Sequence, residues 1–223
     1  MLPTTPQELV AAVIADPPIV HPDAPGGVWS TDADCYELVA TNIGPESRTI
    51  ETGCGISTAV FAARGAQHTC ITPFASEADA TRGWCERHDV STDGLTFIIG
   101  SSVDVLPTLE LVPYDLVLID GEHHHPTPTL DWYYTARGLR QGAIVVVDDV
   151  QLPAPRLVAD YMAGLVPFRT IARTSKWAAL ELATAPPPAT EWKLPEAGTV
   201  LIPGGRLERI GRKLDRLLTP RRA

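Results

Sequence analysis

The sequence predicts an α/β fold: a seven-stranded, mostly parallel sheet with helices on both faces and a C-terminal antiparallel hairpin. Two short runs, 114–120 and 143–149, are apolar and β-branched through their centres, as strands buried on both faces of a parallel sheet are. Thr127-Pro128 begins a helix between them, with a hydroxyl at the N-cap and proline at the first helical position. This unit is therefore a strand, a crossover helix and a second, parallel strand.

Residues 1–47 are predicted to form a helical cap ahead of the first strand. A capping-box pattern over residues 5–8, Thr-Pro-Gln-Glu, places a first helix over residues 6–15. The spacing of apolar side chains predicts a second helix over residues 33–43. Trp29 lies in the loop between them, and ordinary packing of its side chain is the preferred interpretation.

A glycine turn follows the first predicted strand, residues 48–52. Gly53 and Gly55 let the backbone approach a ligand without interference from a Cβ atom, and a helix beginning at Ser57 offers free N–H groups. A dinucleotide-binding fingerprint would need a third glycine at position 58, which is threonine. By itself, the turn indicates a ligand site without identifying the ligand.

The second and third strands are predicted over residues 67–72 and 95–100. The second runs into Thr-Pro-Phe and has no carboxylate at its end. A capping-box pattern starting at Ser76 predicts the next helix, and the third strand runs into two serines.

Three carboxylates stand where the fourth and fifth strands end: Asp120, and the pair Asp148 and Asp149. A right-handed crossover brings both ends to one edge of the sheet, where open α/β sheets bind their ligands. Clustered oxygen ligands suit a hard divalent cation such as magnesium or calcium. The alternative is that Asp120 and Asp149 only end strands and cap the neighbouring turns.

The C-terminal third completes the sheet and adds a tail. A helix is predicted over residues 153–165, and two strands flank the turn Thr174-Ser-Lys as a closing hairpin. Leucine and isoleucine residues of the tail lie at helical spacing among seven basic residues from Gly204 onward. We divide the chain into the cap (1–47), a core (48–184) and a Pro-rich arm with a basic helix (185–223). That helix is interpreted as a solubilising end, or as a contact surface for a partner, a membrane surface or a second copy.

Composition excludes several classes of protein. The net charge of −9 over 223 residues argues against a nucleic-acid substrate. The four cysteines lack any CxxC spacing, so we expect reduced thiols and neither a disulfide framework nor a zinc site. Without an apolar run of the roughly 20 residues needed to cross a bilayer, or a basic residue before Arg48, we expect a cytoplasmic protein with no transmembrane segment.

Two stretches resemble one enzyme family. Glu51-Thr-Gly-Cys-Gly resembles the first cofactor motif of class I S-adenosylmethionine-dependent methyltransferases, whose fold is Rossmann-like. The stretch from Asp120 to Asp149 resembles their metal-assisted O-methyltransferases, of the catechol and caffeoyl-CoA type and of the bacterial sugar type. The resemblance implies a cofactor site formed by Glu51, Gly53, Gly55, Ser57, Thr72, Phe74, Ser101, Ser102 and Asp120. It also implies magnesium, or another divalent cation, on Asp120, Asp148 and Asp149.

The resemblance further implies that His123, three residues after the first metal ligand, is the catalytic base. The alternative is that the run His123 to His125 has no role. The N-terminal region covers the active site in these families, which would make Trp29 and Ser30 lid residues. The chain departs from the pattern at the second strand, where an acid usually binds the cofactor ribose; here Thr72 would bond the ribose and Phe74 would stack on adenine.

These features together predict a metal-assisted O-methyltransferase that acts on a hydroxyl group of a small molecule such as a vicinal diol, a sugar or a catechol. Two alternatives stay open. One is an enzyme like the cephalosporin hydroxylases, which share a similar Asp and His region. The other is a domain that binds S-adenosylmethionine without catalysis, which the missing acid would suit.

Overall fold

The computed structural model describes residues 2–24 and 27–186, and these form fourteen helices and strands with one additional 3-10 turn. In chain order they are α1 (Pro6–Ala15), α2 (Ala33–Asn42), β1 (Arg48–Thr52), α3 (Ile56–Ala63), β2 (Gln67–Thr72), α4 (Ala75–Arg87), β3 (Leu95–Ile99), α5 (Ser102–Val105), β4 (Tyr114–Ile119), α6 (Thr127–Thr135), the 3-10 turn (Ala136–Gly138), β5 (Leu139–Val147), α7 (Pro153–Ala163), β6 (Phe168–Arg173) and β7 (Ala178–Leu182).

The strands form one sheet in the order β3-β2-β1-β4-β5-β7-β6. Strands β1 to β5 are parallel, whereas β7 runs antiparallel to both β5 and β6. The predicted fold class is therefore confirmed. The order reverses between β1 and β4, so a crevice opens beyond their carboxyl ends, where ligands bind in folds of this kind.

A hydrophobic core lies on each face of the sheet, and β4 shows why. Leu116 and Leu118 point into the core beneath α1, α2, α3 and α4, while Val117 and Ile119 point into the core beneath α6 and α7. Because alternate side chains are buried on opposite faces, the whole run has to be apolar. The helices α1 and α2 share one core with α3, so the predicted cap packs directly on the sheet.

Several predicted element ends need correction. Helix α4 begins at Ala75 with Phe74 at its N-cap, so the capping box predicted at Ser76 is wrong. Helix α6 has Pro126, not Thr127, at its N-cap. Strand β5 begins at Leu139, four residues before the predicted start, because the chain pairs with Tyr114 before the register shifts.

Smaller differences concern the other helix starts. Thr5 donates its hydroxyl to the Glu8 carboxylate at 2.6 Å, so the two side chains bond each other and the backbone cap predicted from them is absent. Helix α3 begins at Ile56, one residue before the predicted start.

The four cysteines are free and buried, as expected. No helix among the described residues is long and apolar enough to cross a membrane. The basic helix and most of the Pro-rich arm predicted for the tail fall in residues 187–223, outside the described ranges.

Candidate functional site

A cavity of about 490 Å³ opens at the carboxyl edge of the sheet, around the point where the strand order reverses. Its volume falls within the range of small-molecule sites. Ten of the predicted cofactor and metal residues and the predicted base line this cavity: Gly53, Gly55, Ser57, Thr72, Phe74, Ser101, Ser102, Asp120, Asp148, Asp149 and His123. The structure thus brings together residues that are up to 96 positions apart in the chain.

Glu51 is the predicted site residue that does not line the cavity. Its buried carboxylate lies beneath the glycine turn, where it accepts hydrogen bonds from the hydroxyls of Ser57, at 2.6 Å, and Thr58. His68 Nε2 lies 3.0 Å from the same carboxylate. Glu51 therefore holds the start of α3 against β1 and β2, and in this structure it shapes the turn from below.

The glycine turn itself lies against the chain after β4. Gly53 has φ +100°, a conformation that side chains other than glycine rarely adopt, and a Cβ atom there would overlap the carbonyl oxygen of Asp120. Gly55 is extended, and a Cβ atom would come no closer than 3.9 Å to a protein atom. A larger side chain at position 55 would therefore enter the cavity, while one at position 53 would disturb the fold.

The end of β2 carries an acid that the sequence reasoning missed. Glu77, in the first turn of α4, is buried and folds back so that Thr72 donates its hydroxyl to the carboxylate. His21 Nδ1 lies 3.3 Å from the same carboxylate, and both residues line the cavity. Phe74, 59% exposed, stands beside them. An acid within one helical turn of a strand end is the sequence signal that could have indicated this residue.

The three aspartates meet at the opposite end of the cavity, with a lysine among them. Asp148 accepts a hydrogen bond from the Thr31 hydroxyl at 2.5 Å and one from Lys176 Nζ at 3.3 Å. Asp149 also accepts a hydrogen bond from Lys176. Lys176 was predicted only as a turn residue of the hairpin, and sequence distance gave no sign that its side chain reaches these acids.

His123 lies on the other side of Asp149. Its Nε2 atom is 2.9 Å from Asp149 Oδ2, and its side chain is partly exposed to the cavity. His124 instead pairs with Glu122 at the surface, and His125 is exposed outside the cavity lining. Of the three histidines, therefore, His123 alone lines the site.

The electrostatics of this end are uneven. Burial, and then the charges of Asp148, Asp149 and Glu51, raise the pKa of Asp120 well above its ordinary value. The hydrogen bond with His123, together with Lys176 and Gln151, holds the pKa of Asp149 well below it. Burial raises the pKa of Asp148 against the opposing effects of Thr31 and Lys176. Asp149 is thus ionised at neutral pH, whereas the charge of Lys176 opposes the raised pKa of Asp120 without offsetting it.

Among the described residues, one group of side chains can converge on a cation: Asp120, His123 and Asp149, whose ligand atoms lie within 4.8 Å of one another. Asp148, which was predicted as a ligand, does not belong to this group, since its two oxygens face Thr31 and Lys176. This group offers two carboxylates and one imidazole as donors.

Trp29 and Ser30 line the mouth of the cavity, and Trp29 is 69% exposed. The preferred interpretation of Trp29 as an ordinary packing residue is therefore wrong. Its neighbour Thr31 is fixed by the bond to Asp148 and by a hydrogen bond from its backbone N–H to the Tyr36 hydroxyl at 3.1 Å.

Comparisons with known proteins find a similar domain and similar folds. A family model described as a methyltransferase domain matches residues 50–150. A catechol O-methyltransferase of Mycobacterium tuberculosis (strain ATCC 25618 / H37Rv) is 35% identical over 109 residues, which cover 46% of this chain and 48% of the relative. The chain thus spans about half the length of the curated relative that it matches.

Solved structures share the fold at low identity. The cofactor-bound protein Rv0187 from MTB is 22% identical, with a TM-score of 0.61 over 78% of this chain and 89% of its own. TomG, an O-methyltransferase of Streptomyces achromogenes in complex with SAM, is 18% identical, with a TM-score of 0.59 over 70% and 82%. A Bacillus cereus O-methyltransferase in complex with SAH is 18% identical, with a TM-score of 0.56 over 79% and 90%.

Proposed function

We propose that this chain, whose residues 50–150 form a methyltransferase domain of the class I fold, transfers the methyl group of S-adenosylmethionine to a hydroxyl group of a small molecule. The observation that carries the proposal is the one cavity that joins the glycine turn after β1 to the acids and histidine after β4 and β5. Two ligands placed at these two ends would meet near Asp120. The catechol O-methyltransferase relative supports a hydroxyl as the acceptor.

The cofactor end is assigned by the chemistry of its lining. The backbone at Gly53 and Gly55 leaves room for the methionine part, and the start of α3 offers N–H groups to its carboxylate. Glu77, held by Thr72, is the carboxylate that would accept hydrogen bonds from the ribose hydroxyls. Phe74 offers an exposed ring to adenine, and Ser101 and Ser102 offer hydroxyls at the same end.

The residues at the acceptor end fit a divalent cation. No hydrogen bond to the Asp120 side chain is present among the described residues. Burial, and then repulsion from the neighbouring carboxylates, raises its pKa, and a cation would oppose both effects. Asp120 and Asp149 would hold the ion, with His123 near enough to be a third ligand. Magnesium prefers oxygen ligands, whereas imidazole favours transition metals, so manganese suits this set as well as magnesium does. When bound, such an ion would polarise the acceptor hydroxyl and lower its pKa.

We assign His123 as the base that accepts the proton of the acceptor hydroxyl. Ionised Asp149 can only accept a hydrogen bond, so Nε2 of His123 carries a hydrogen, and in the neutral imidazole the free electron pair is then on Nδ1. In the transfer, a bond forms between the acceptor oxygen and the methyl carbon, the bond from that carbon to sulfur breaks, and the hydroxyl proton passes to Nδ1. Nδ1 cannot accept this proton while it is bound to a cation. The roles of His123 as base and as ion ligand therefore exclude each other, and experiments can separate them.

The acceptor is proposed to be a small molecule with two neighbouring hydroxyl oxygens, such as a vicinal diol, a sugar or a catechol. Two adjacent oxygens can coordinate one cation together, and this chelation would fix which of the two faces the methyl group. The carboxylates at this end of the cavity disfavour an acceptor with an acidic group next to the reacting hydroxyl.

Calorimetry with S-adenosylmethionine and then with S-adenosylhomocysteine tests the proposal. We expect both to bind one site per chain, and Gly55→Val to abolish binding without changing the circular dichroism spectrum, because its side chain would occupy the cavity. Gly44→Val is the matched control, since a Cβ atom at position 44 meets open space. Failure of both ligands to bind the wild-type chain would refute the proposal.

A further inference from the structure

Lys176 is held firmly at the acceptor end of the cavity. Its backbone carbonyl accepts a hydrogen bond from Val150 N–H at 2.7 Å, and its own N–H donates to the Thr174 hydroxyl at 3.1 Å. Trp177 N–H donates to the same hydroxyl at 3.0 Å. The turn between β6 and β7 is thus tied to the end of β5, and it delivers the lysine side chain to the acids that follow this strand.

The ammonium group of Lys176 is a resident counter-ion for these acids. It pairs with Asp148 and Asp149, and its side chain is 26% exposed. Among the described residues that line the cavity, it is the one lysine or arginine, against the carboxylates of Asp120, Asp148 and Asp149 at the same end. Although burial opposes it, the hydrogen bond with Asp149 and the charges of both partners raise the pKa of Lys176. The group is therefore charged at neutral pH.

We propose that Lys176 competes with a divalent cation for Asp149, so that the ammonium group sets how weakly the acceptor end binds the ion and removal of its charge tightens ion binding. The ion-binding group and the lysine share Asp149 as a ligand. An ion bound to Asp149 would lie within a few ångströms of the ammonium group, and two cations at that distance repel each other strongly in a partly buried site. An ion that binds to Asp149 is therefore either repelled by the ammonium group or requires Lys176 to leave Asp149 and keep only its contact with Asp148.

The inference deepens the proposed function by assigning a regulator to its ion site, and it rests on that function only for the identity of the acceptor end. It uses two observations that are independent of each other. One is the paired lysine, and the other is the Asp120 carboxylate, which lines the same cavity without a hydrogen bond from any described residue. The pairing neutralises part of the negative charge of the three carboxylates, and Asp120 offers a carboxylate that no described residue holds by a hydrogen bond.

Titration with Mn²⁺ alone, followed by the electron paramagnetic resonance signal of the free ion, tests the competition without any need for activity. We expect Lys176→Met to bind Mn²⁺ at least tenfold more tightly than the wild-type chain. Lys176→Arg keeps the charge and is expected to stay within about threefold of wild type. Arg173→Met is the matched control, because Arg173 lies on the same hairpin but pairs with Asp160 outside the cavity lining.

Each outcome has a defined meaning. Equal or weaker Mn²⁺ binding by Lys176→Met, with Arg173→Met unchanged, overturns the proposal, as does the absence of Mn²⁺ binding by every variant. If Lys176→Met does not fold, Lys176→Gln replaces it under the same criterion. The cofactor titrations described above are independent of the lysine, so a chain that binds S-adenosylmethionine but shows no competition would refute this inference and leave the proposed transferase intact.

Discussion

Glu77 of α4 places a carboxylate beside the end of β2, a strand that has no carboxylate at its own end. Strand β2 ends in Thr72, whose hydroxyl donates a hydrogen bond to the Glu77 carboxylate and holds it at the cavity. Thr72 and Glu77 thus act as one unit, five residues apart, with the acid provided by the helix and its orientation by the strand.

Changing Glu77 to Gln should weaken binding of S-adenosylmethionine by about 10- to 100-fold, since a charged acceptor for two ribose hydroxyls becomes a neutral amide with one acceptor oxygen. Isothermal calorimetry measures the loss. Asp79→Asn is the control, because Asp79 is an exposed acid on the same helix that pairs with Arg82. Equal affinity of the Gln variant and the wild type would place the ribose elsewhere.

His123 is the residue whose two proposed roles can be separated. As a base, it should lose roughly 10²–10⁴-fold in turnover when changed to Ala. As an ion ligand, it should lose Mn²⁺ affinity instead. We expect His123→Ala to keep Mn²⁺ affinity within threefold and to lose turnover.

His124→Ala is the control for both measurements, since His124 pairs with Glu122 at the surface. A His123 variant that keeps the wild-type rate would show that it is not the base. A variant that loses ion binding and turnover in parallel would assign it to the ion.

At the scale of elements, α6 carries an unusual buried acid toward the sheet. Asp131 is fully buried, and neither carboxylate oxygen has a hydrogen bond of good geometry from any residue that the structure describes. Burial raises its pKa to about 6, against the opposing effects of the Ser102 and Thr52 hydroxyls. Because Thr52 and Ser102 also line the cavity, α6 braces the cavity wall from behind with a polar contact.

The raised pKa of Asp131 predicts how the free energy of unfolding depends on pH. The folded-state pKa of about 6 lies above the unfolded value near 4, so the folded chain binds the proton more tightly. The wild-type free energy of unfolding should therefore fall, relative to Asp131→Asn, as pH rises from 4 to 7, by up to about 3 kcal/mol. Urea denaturation of both chains at several pH values measures the difference. A constant difference over this range would show that Asp131 has an ordinary pKa.

At the scale of the whole molecule, local patterns were sufficient for the sheet and for part of the site. The apolar runs around β4 and β5 predicted buried parallel strands, and a crossover between them had to bring Asp120 and Asp148 to one edge. The glycine turn could also be predicted locally, since Gly53 has a positive φ that favours glycine.

The partners of those residues could not be predicted. Thr31 reaches Asp148 across 117 residues, and Lys176 reaches it across 28 from a turn that is defined only by its flanking strands. Such contacts depend on how the hairpin and the N-terminal loop pack on the finished sheet. Glu77 was missed for a different reason, because an acid in the first turn of a helix has the same sequence pattern whether it is exposed or buried beside a cavity.

The exposure of Trp29 gives the molecule a built-in optical probe. Trp84, Trp132 and Trp177 are buried, so within the described residues Trp29 is the indole that water reaches freely. It stands at the mouth of the cavity, two residues from the anchor that Thr31 makes on Asp148. Occupation of the cavity should shield this indole and shift the red edge of the emission spectrum to shorter wavelengths, a change that Trp29→Phe would remove. With Trp192 replaced by Phe as a background, stopped-flow fluorescence could then follow the arrival of each ligand in real time.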